Sequence, residues 1–229
     1  MDISDRLKCI ANMVDKCDSI ADIGTDHAYL PIYLIKNKIC TKAIASDINK
    51  GPVKKAKLNI TMENEDKAIE CRLGPGLTTI VPNEVNAAVI AGMGGNLIRD
   101  IIEDSMEVFK SLNYLVLQPV QNPEVLRKYI NEKGYEIIDE DLCRDENKYY
   151  ELIKIRYSNK VKHLDNIYCE ISKVLLEKKH PLVKEYIFFK IEKYDKIFNN
   201  IKDDGDMAKI RKNNLNQKIV KLKEMLGWL

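Results

Sequence analysis

One short segment near the N-terminus combines residue types that could bind a cationic ligand. An apolar run ends at Asp22 and Gly24, and Asp26, His27 and Tyr29 follow at once. Glycine lets the backbone approach a ligand closely. The two carboxylates would repel phosphate but attract a cation, for instance a ligand with a sulfonium and an amino group. The segment therefore predicts a turn that binds a cationic small molecule.

Three further apolar runs also end beside small or acidic residues. The candidate cofactor-binding positions at these three ends are Asp47, Ile48, Gly74, Pro75, Gly76, Ala91, Gly92, Met93 and Gly94. An acidic side chain after the second strand can accept both hydroxyls of a ribose. The dinucleotide fingerprint is absent, because Asp26 and Tyr29 occupy its second and third glycine positions. The pattern favours an adenosine-containing cofactor without phosphate, with S-adenosylmethionine the leading candidate.

These residues need a sheet edge to bring them together, and the apolar runs predict one. Seven runs lie between residues 19 and 157, and the last two are separated only by the charged turn of Leu142 to Lys148. Helix starts are predicted at Ser4 and at Asn122-Pro123. We expect an α/β domain with a mostly parallel seven-stranded sheet and a terminal antiparallel hairpin, as in class I Rossmann-like methyltransferases. Sheets of other functions also carry antiparallel edges.

After Tyr157 the strand pattern ends and helical spacing begins. A helix is predicted from Ile167 to Lys179, and two long helices follow on either side of a turn at residues 203–206. Their apolar stripes are Tyr186, Phe189, Tyr194, Ile197 and Ile201, and then Ile210, Leu215, Ile219, Leu222 and Met225. We predict a cofactor-binding domain at 1–158 and a helical coiled-coil domain at 159–229.

Composition narrows the function classes. The six cysteines form no CxxC pair and no metal-ligand spacing, which indicates reduced thiols in a cytoplasmic protein without a metal. No apolar stretch is long enough to span a membrane. Residues 158–229 carry 16 Lys and Arg against 10 Asp and Glu, a charge of +6, whereas residues 1–157 carry −4. The basic excess suits nucleic acid, and it equally suits a solvated lysine-rich helical surface.

Several strings resemble those of the bacterial tRNA adenine-22 N(1)-methyltransferase family, TrmK. They are Arg6-Leu7, DIGTDHAYLP at 22–31, Gly51-Pro52, RLGPGL at 72–77, AGMGGNLIRD at 91–100, LQP at 117–119 and YYEL at 149–152. This chain departs from the family pattern in three strings. It has Gly-Pro-Gly where Gly-Asp-Gly is common, Asp47 where Glu is frequent, and Val120-Gln121-Asn122 after Leu-Gln-Pro, where Asn usually follows directly.

The resemblance implies methylation of ring nitrogen 1 of adenine 22 in tRNA, with S-adenosylmethionine as cofactor and the C-terminal domain as the tRNA-binding part. By motif position, Gly24 and Asp22 would face the methionine part, Asp47 and Ile48 the ribose, residues 74–76 the adenine, and residues 91–95 the methyl-transfer mouth. The candidate catalytic residues are Asp26, His27, Tyr29 and Asn96. Tyr29 could also be packing, and Asn96 could be a helix cap.

Two other functions remain open on the sequence alone. One is methylation of a small metabolite or a protein with the same cofactor, with the helical tail as a lid or dimer interface. The other is a non-catalytic RNA-binding relative. Pro75 is the reason to consider it, because it replaces the aspartate of the common Gly-Asp-Gly string beside the predicted adenine. The tail's apolar stripes favour packing within one chain over a partner surface, so the sequence leaves the oligomeric state open and favours a monomer.

Overall fold

Seven strands form one mixed sheet in the first of the two units into which the chain divides. The computed structural model describes residues 2–161, 165–203 and 205–229, and the two units are Met1–His163 and Leu164–Leu229. The strands are β1 (Cys17–Ile23), β2 (Cys40–Asp47), β3 (Ile69–Leu73), β4 (Ala87–Gly94), β5 (Tyr114–Gln121), β6 (Glu136–Asp145) and β7 (Lys148–Arg156). Their order is β3-β2-β1-β4-β5-β7-β6, and β7 runs antiparallel to both neighbours. The predicted Rossmann-like sheet with its terminal hairpin is confirmed.

Helices cover both faces of this sheet. They are α1 (Asp5–Asn12), α2 (Tyr29–Lys36), α3 (Lys50–Met62), α4 (Gly95–Glu103), α5 (Met106–Ser111) and α6 (Pro123–Glu132). One buried cluster joins α1, α2 and α3 to the sheet, and a second joins α4, α5 and α6 to it. Ile20 belongs to the first cluster and Ala21 to the second, because successive strand side chains point to opposite faces.

Both helix starts that the sequence predicts are present. The Ser4 hydroxyl accepts the amide of Leu7 at 3.3 Å, and Pro123 is the first residue of α6. Asn122 precedes it in a left-handed conformation and makes no side-chain cap. Across the described ranges, no helix is long and apolar enough to cross a membrane.

The terminal hairpin is tighter than the sequence predicts. The charged segment from Leu142 to Lys148 is mostly strand, and Asp145 pairs directly with Lys148. Only Glu146 and Asn147 form the turn, and both have positive φ. A two-residue turn with both central residues left-handed matches the twist of the strands. The prediction of a longer turn was wrong because the charged residues suggested a loop, whereas most of them occupy exposed or half-exposed positions at the end of the edge strand β6 and the start of β7.

The second unit contains four helices among its described residues: α7 (Ile167–Glu170), α8 (Lys173–Glu177), α9 (Val183–Asn200) and α10 (Asp206–Leu226). The single helix predicted from Ile167 to Lys179 is wrong. Ile171 is extended, and Ser172 starts a new helix by accepting the amide of Leu175 at 3.2 Å. The predicted turn residue Asp204 lies outside the described residues.

Helices α9 and α10 contact each other along most of the predicted stripes. Tyr186, Tyr194, Leu215, Ile219, Leu222 and Met225 are buried. Phe189 and Ile210 were also assigned to the stripes, yet they are 43% and 53% exposed. Helical spacing alone predicts that both side chains are buried. In the structure, the buried side of α9 instead includes Ile187, Lys190 and Ile191.

Glu170 is the charged centre of this helical unit. Its carboxylate accepts from the Lys190 ammonium, the Tyr194 hydroxyl and the Lys218 ammonium. Burial opposes ionisation, but the two lysines and the tyrosine outweigh it and lower the pKa of Glu170 to about 2. The carboxylate therefore stays charged at neutral pH and ties α7 to α9 and α10.

Arg127 has the corresponding role in the first unit. Its guanidinium on α6 donates to Glu140 at 2.8 Å and to Glu151 at 2.5 Å, and all three side chains are at most 2% exposed. Because these carboxylates lie on β6 and β7, the ion pairs fix the hairpin to α6. Breaking a buried pair leaves an uncompensated charge inside the protein.

We expect Arg127→Met to destabilise the N-terminal unit by about 3–5 kcal/mol. The matched control is Arg156→Met, because Arg156 pairs with Glu136 at 2.7 Å but is 54% exposed. That exposed pair is screened by solvent, so its loss should change the stability far less than the loss of the buried Arg127 pairs. Urea unfolding followed by circular dichroism measures both effects, and equal shifts for the two variants would contradict this account of Arg127.

Candidate functional site

The turn after β1 is strained and is held by neighbouring groups. Gly24 has φ +76°, and the next left-handed residues, His27 and Ala28, have φ 59° and 56°. A left-handed conformation is unfavourable for residues other than glycine, so surrounding contacts must stabilise it. The Asn59 side chain on α3 donates to the carbonyl oxygen of His27 at 3.0 Å. This hydrogen bond attaches the left-handed part of the turn to α3.

Three of the predicted catalytic residues lie together on this turn. The rings of His27 and Tyr29 stack with their centroids 5.2 Å apart and an angle of 9° between planes. The Nε2 atom of His27 is 3.3 Å from Asp26 Oδ1. The Asp26 carboxylate therefore contacts His27, and because the Asp26 side chain is 83% exposed it also reaches solvent.

A cavity of about 580 Å³ lies beside this turn; we call it the acidic cavity. It is lined by Asp22, Gly24, Asp26, Tyr29, Ala91, Gly92 and residues of α1 that include Arg6. Burial raises the pKa of Asp22 to about 6, although Arg6 partly opposes this shift. A cationic ligand would favour the ionised form of Asp22, so the cavity has the charge that the sequence predicts.

Gln118 connects α1 to the turn after β4. Its Oε1 atom accepts from Arg6 Nη1 at 2.8 Å and from the Gly92 amide at 3.2 Å, and its Nε2 donates to the Pro119 carbonyl. Gln118 is completely buried, and Gly92 has φ +77°. Arg6 and Gln118 occur in the family strings, but sequence reasoning gave neither a role. They are 112 residues apart, and no local pattern indicates that they touch.

A second cavity of about 250 Å³ lies on the other side of Gly24; we call it the apolar cavity. Its lining includes Gly24, Asp47, Ile48, Pro75, Gly76, Met93 and Leu97. Asp47, Asp100 and Asp104 are the acids of this lining, and the Asp47 carboxylate already accepts the Asn49 amide at 2.7 Å. Walls that are mainly apolar, with a carboxylate after the second strand, suit a nucleoside whose ribose hydroxyls reach that acid.

Met93 lines the apolar cavity and contacts Gly24, the residue that both cavities share. A Cβ atom on Gly24 would be 2.1 Å from Met93 Cε, so only glycine fits beneath this methionine as it is placed. A Cβ on Gly76, which has φ +52°, would be 3.0 Å from Ile101. The two cavities share Gly24 and differ in polarity, which fits an elongated ligand with a charged end and a nucleoside end. S-adenosylmethionine has this form.

Four predicted residues do not line either cavity. Gly74 lies where a Cβ would be 2.7 Å from Thr79, so it serves close packing of the turn. Gly94 precedes α4 as its N-cap, which corrects the alternative reading of Asn96 as a cap. Asn96 is exposed on the first turn of α4, and His27 contacts Asp26 and Tyr29 from outside the lining.

Comparisons with known proteins identify the family of this chain. The model of the TrmK family, tRNA (adenine(22)-N(1))-methyltransferase, matches residues 20–224. The Bacillus subtilis enzyme of that name is 36% identical over 151 residues, which is 66% of this chain and 63% of that protein. The aligned segment thus spans slightly less than two thirds of this relative's length.

Solved structures extend the similarity to nearly the whole chain. The crystal structure of the B. subtilis m1A22 tRNA methyltransferase TrmK has a TM-score of 0.87 and 28% identity, and the match covers 98% of this chain and 99% of that one. The structure of M. capricolum TrmK with the cofactor product S-adenosyl-homocysteine has a TM-score of 0.82, 28% identity and the same coverage. With the family model matching most of its length, this chain belongs to the TrmK family of tRNA (adenine(22)-N(1))-methyltransferases.

Proposed function

We propose that this protein transfers the methyl group of S-adenosylmethionine to ring nitrogen 1 of adenine 22 in tRNA. The observation that carries the proposal is the pair of cavities on either side of Gly24, one acidic and one apolar, in a chain of the TrmK family. Family membership supports the substrate, and the cavities support the cofactor. When bound, S-adenosylmethionine supplies an activated methyl group on a sulfonium.

Different residues of the two cavities bind different parts of this cofactor. Asp22 stabilises the positive charge of the methionine part, and Gly24 provides space for it. Asp47 accepts the ribose hydroxyls, while Ile48 and the Pro75-Gly76 turn enclose the adenine. Pro75 removes an amide that the Gly-Asp-Gly form of the family would offer, but it leaves an apolar wall in place.

Asp26 is the residue that we assign to the chemical step. The ring nitrogen of adenine is already a neutral nucleophile with a lone pair, so positioning does most of the work and no strong base is needed. Positive charge develops on the base as the methyl group is transferred. A fixed carboxylate beside the base stabilises that charge, and His27 holds Asp26 at 3.3 Å.

The target base must leave its stack to reach the cavity. Nitrogen 1 lies on the pairing edge of adenine, and extruding a base requires a few kcal/mol. Tyr29 is 39% exposed beside the acidic cavity and is stacked on His27, so its ring offers a platform for the extruded base. Asn96 is exposed on α4 and is a contact for the adenine edge.

The second unit supplies contacts to the tRNA backbone. We assign residues 1–158 to catalysis and residues 159–229 to a coiled-coil RNA-binding domain. Within the described part of that domain, Lys209, Arg211 and Lys212 are exposed or half-exposed and have no carboxylate within 4.0 Å. Free cations of this kind bind phosphates in a salt-dependent manner. We further assign the protein to the cytoplasm as a monomer; its six free cysteines suit a reducing compartment.

The first test is methyl transfer itself. With S-adenosylmethionine and an unmodified tRNA transcript, the protein should form 1-methyladenosine, detected by mass spectrometry of the digested RNA. Because this modification blocks base pairing, reverse transcription should stop at position 22. A transcript with guanine at position 22 is the control. Methylation of that control, or binding of the cofactor without any methylated RNA, would contradict the proposed reaction.

Asp26→Asn should separate catalysis from cofactor binding. We expect the single-turnover methylation rate to fall by about tenfold, since one exposed charge beside the reacting base is lost. Affinity for S-adenosylmethionine, measured by calorimetry, should change much less. Asp18→Asn is the matched control, because Asp18 is an exposed aspartate near the start of β1, at the end of that strand away from the turn that carries Asp26. An unchanged rate in Asp26→Asn would remove Asp26 from the chemical step.

Asp22 should make cofactor binding depend on pH. Its pKa of about 6 means that it is largely protonated at pH 5 and ionised at pH 7. Because only the carboxylate stabilises the positive charge, affinity for S-adenosylmethionine should rise about tenfold from pH 5 to pH 7. Calorimetry at several pH values measures this change. Asp22→Asn should bind weakly with no such dependence, and a variant that keeps the wild-type pH profile would show that another group is responsible.

A further inference from the structure

We propose that Arg6 binds the carboxylate of the cofactor's methionine part and that Gln118 holds the Arg6 guanidinium in place for this contact. The inference rests on the proposed function and names the partner of one end of the cofactor. It concerns α1, which lies outside the strand ends that carry the other assigned residues.

The charge balance of the acidic cavity is the first argument. Among the residues that line it, the acids include Asp22 and Asp26, and Arg6 is the one cation. A purely cationic ligand would need no arginine there. The methionine part of the cofactor has an ammonium and a carboxylate, so a cavity with acids and one arginine matches both of its charges.

The contacts of Arg6 are the second argument. Its Nη1 atom donates to the amide oxygen of Gln118, and its guanidinium carbon is 5.8 Å from the centre of the Tyr150 ring. Within the described ranges, no carboxylate lies within 4.0 Å of the Arg6 guanidinium. The group is held by a neutral partner and a ring, and its charge remains available for an anion.

The position of Gln118 is the third argument. A completely buried glutamine that accepts from both Arg6 and the Gly92 amide fixes the guanidinium relative to the turn after β4. Arginine binds carboxylates through two parallel N–H groups, and this geometry needs an oriented guanidinium. Gln118 therefore acts as a positioning residue, since it does not line the cavity.

The test compares two ligands that differ only in the carboxylate. Calorimetry measures the binding of S-adenosylmethionine and of decarboxylated S-adenosylmethionine to the wild type and to Arg6→Gln. We expect Arg6→Gln to lose about 10- to 100-fold in affinity for the first ligand, as for a lost charge-assisted pair, and to bind the second as the wild type does. Arg6→Lys should retain part of the preference, and Gln118→Met should weaken only the first ligand.

Several outcomes would overturn this assignment. Equal loss of both ligands in Arg6→Gln would show a structural role, and an unchanged preference would show that another group binds the carboxylate. A loss of affinity for tRNA alone would assign Arg6 to an RNA phosphate. Arg156→Gln, a remote exposed arginine, is the control and should match the wild type. If the wild type binds no S-adenosylmethionine, the proposed function fails, whereas wild-type binding with unchanged preference in Arg6→Gln refutes this inference alone.

Discussion

The site depends on how the backbone leaves the first strand. The amides of Gly24 and Thr25 both donate to the carbonyl oxygen of Ser46 at 2.8 Å, so the ladder between β1 and β2 ends at one acceptor. This bond pair starts the turn at the point where the strand order reverses, between β1 and β4. The two cavities share Gly24, so their separation depends on this turn as well.

The elements that carry the site could be predicted from the sequence because they follow local rules. The strands β1 to β4 are short apolar runs that end at or directly before glycine or aspartate, and parallel strands must bring those ends to one edge. Asp22, Gly24, Asp47 and Met93 are placed there by this rule, and the structure brings them to the cavities. The helix start at Ser172 and the exposure of Phe189 and Ile210 were missed because tertiary packing, rather than spacing, decides them.

Contacts between distant segments could not be predicted. Arg6 reaches Gln118 only because α1 packs beside the sheet, and one sequence contains no signal for a pair 112 residues apart. The left-handed conformations of His27 and Ala28 are equally hidden, since their residue types favour other conformations. Sequence reasoning therefore finds the residues at the sheet edge and misses those that hold them in place.

The contacts of Gln118 and of His27 differ in burial, so the site has a rigid part and an exposed part. Gln118 is completely buried and joins Arg6 to Gly92, so the end of the acidic cavity near α1 has a fixed arrangement before any ligand binds. Asp26 is 83% exposed and is held by His27, a side chain that is itself 29% exposed. A preorganised pocket beside an accessible carboxylate suits the proposed reaction, in which a small cofactor is enclosed and a large RNA must reach the carboxylate from solvent.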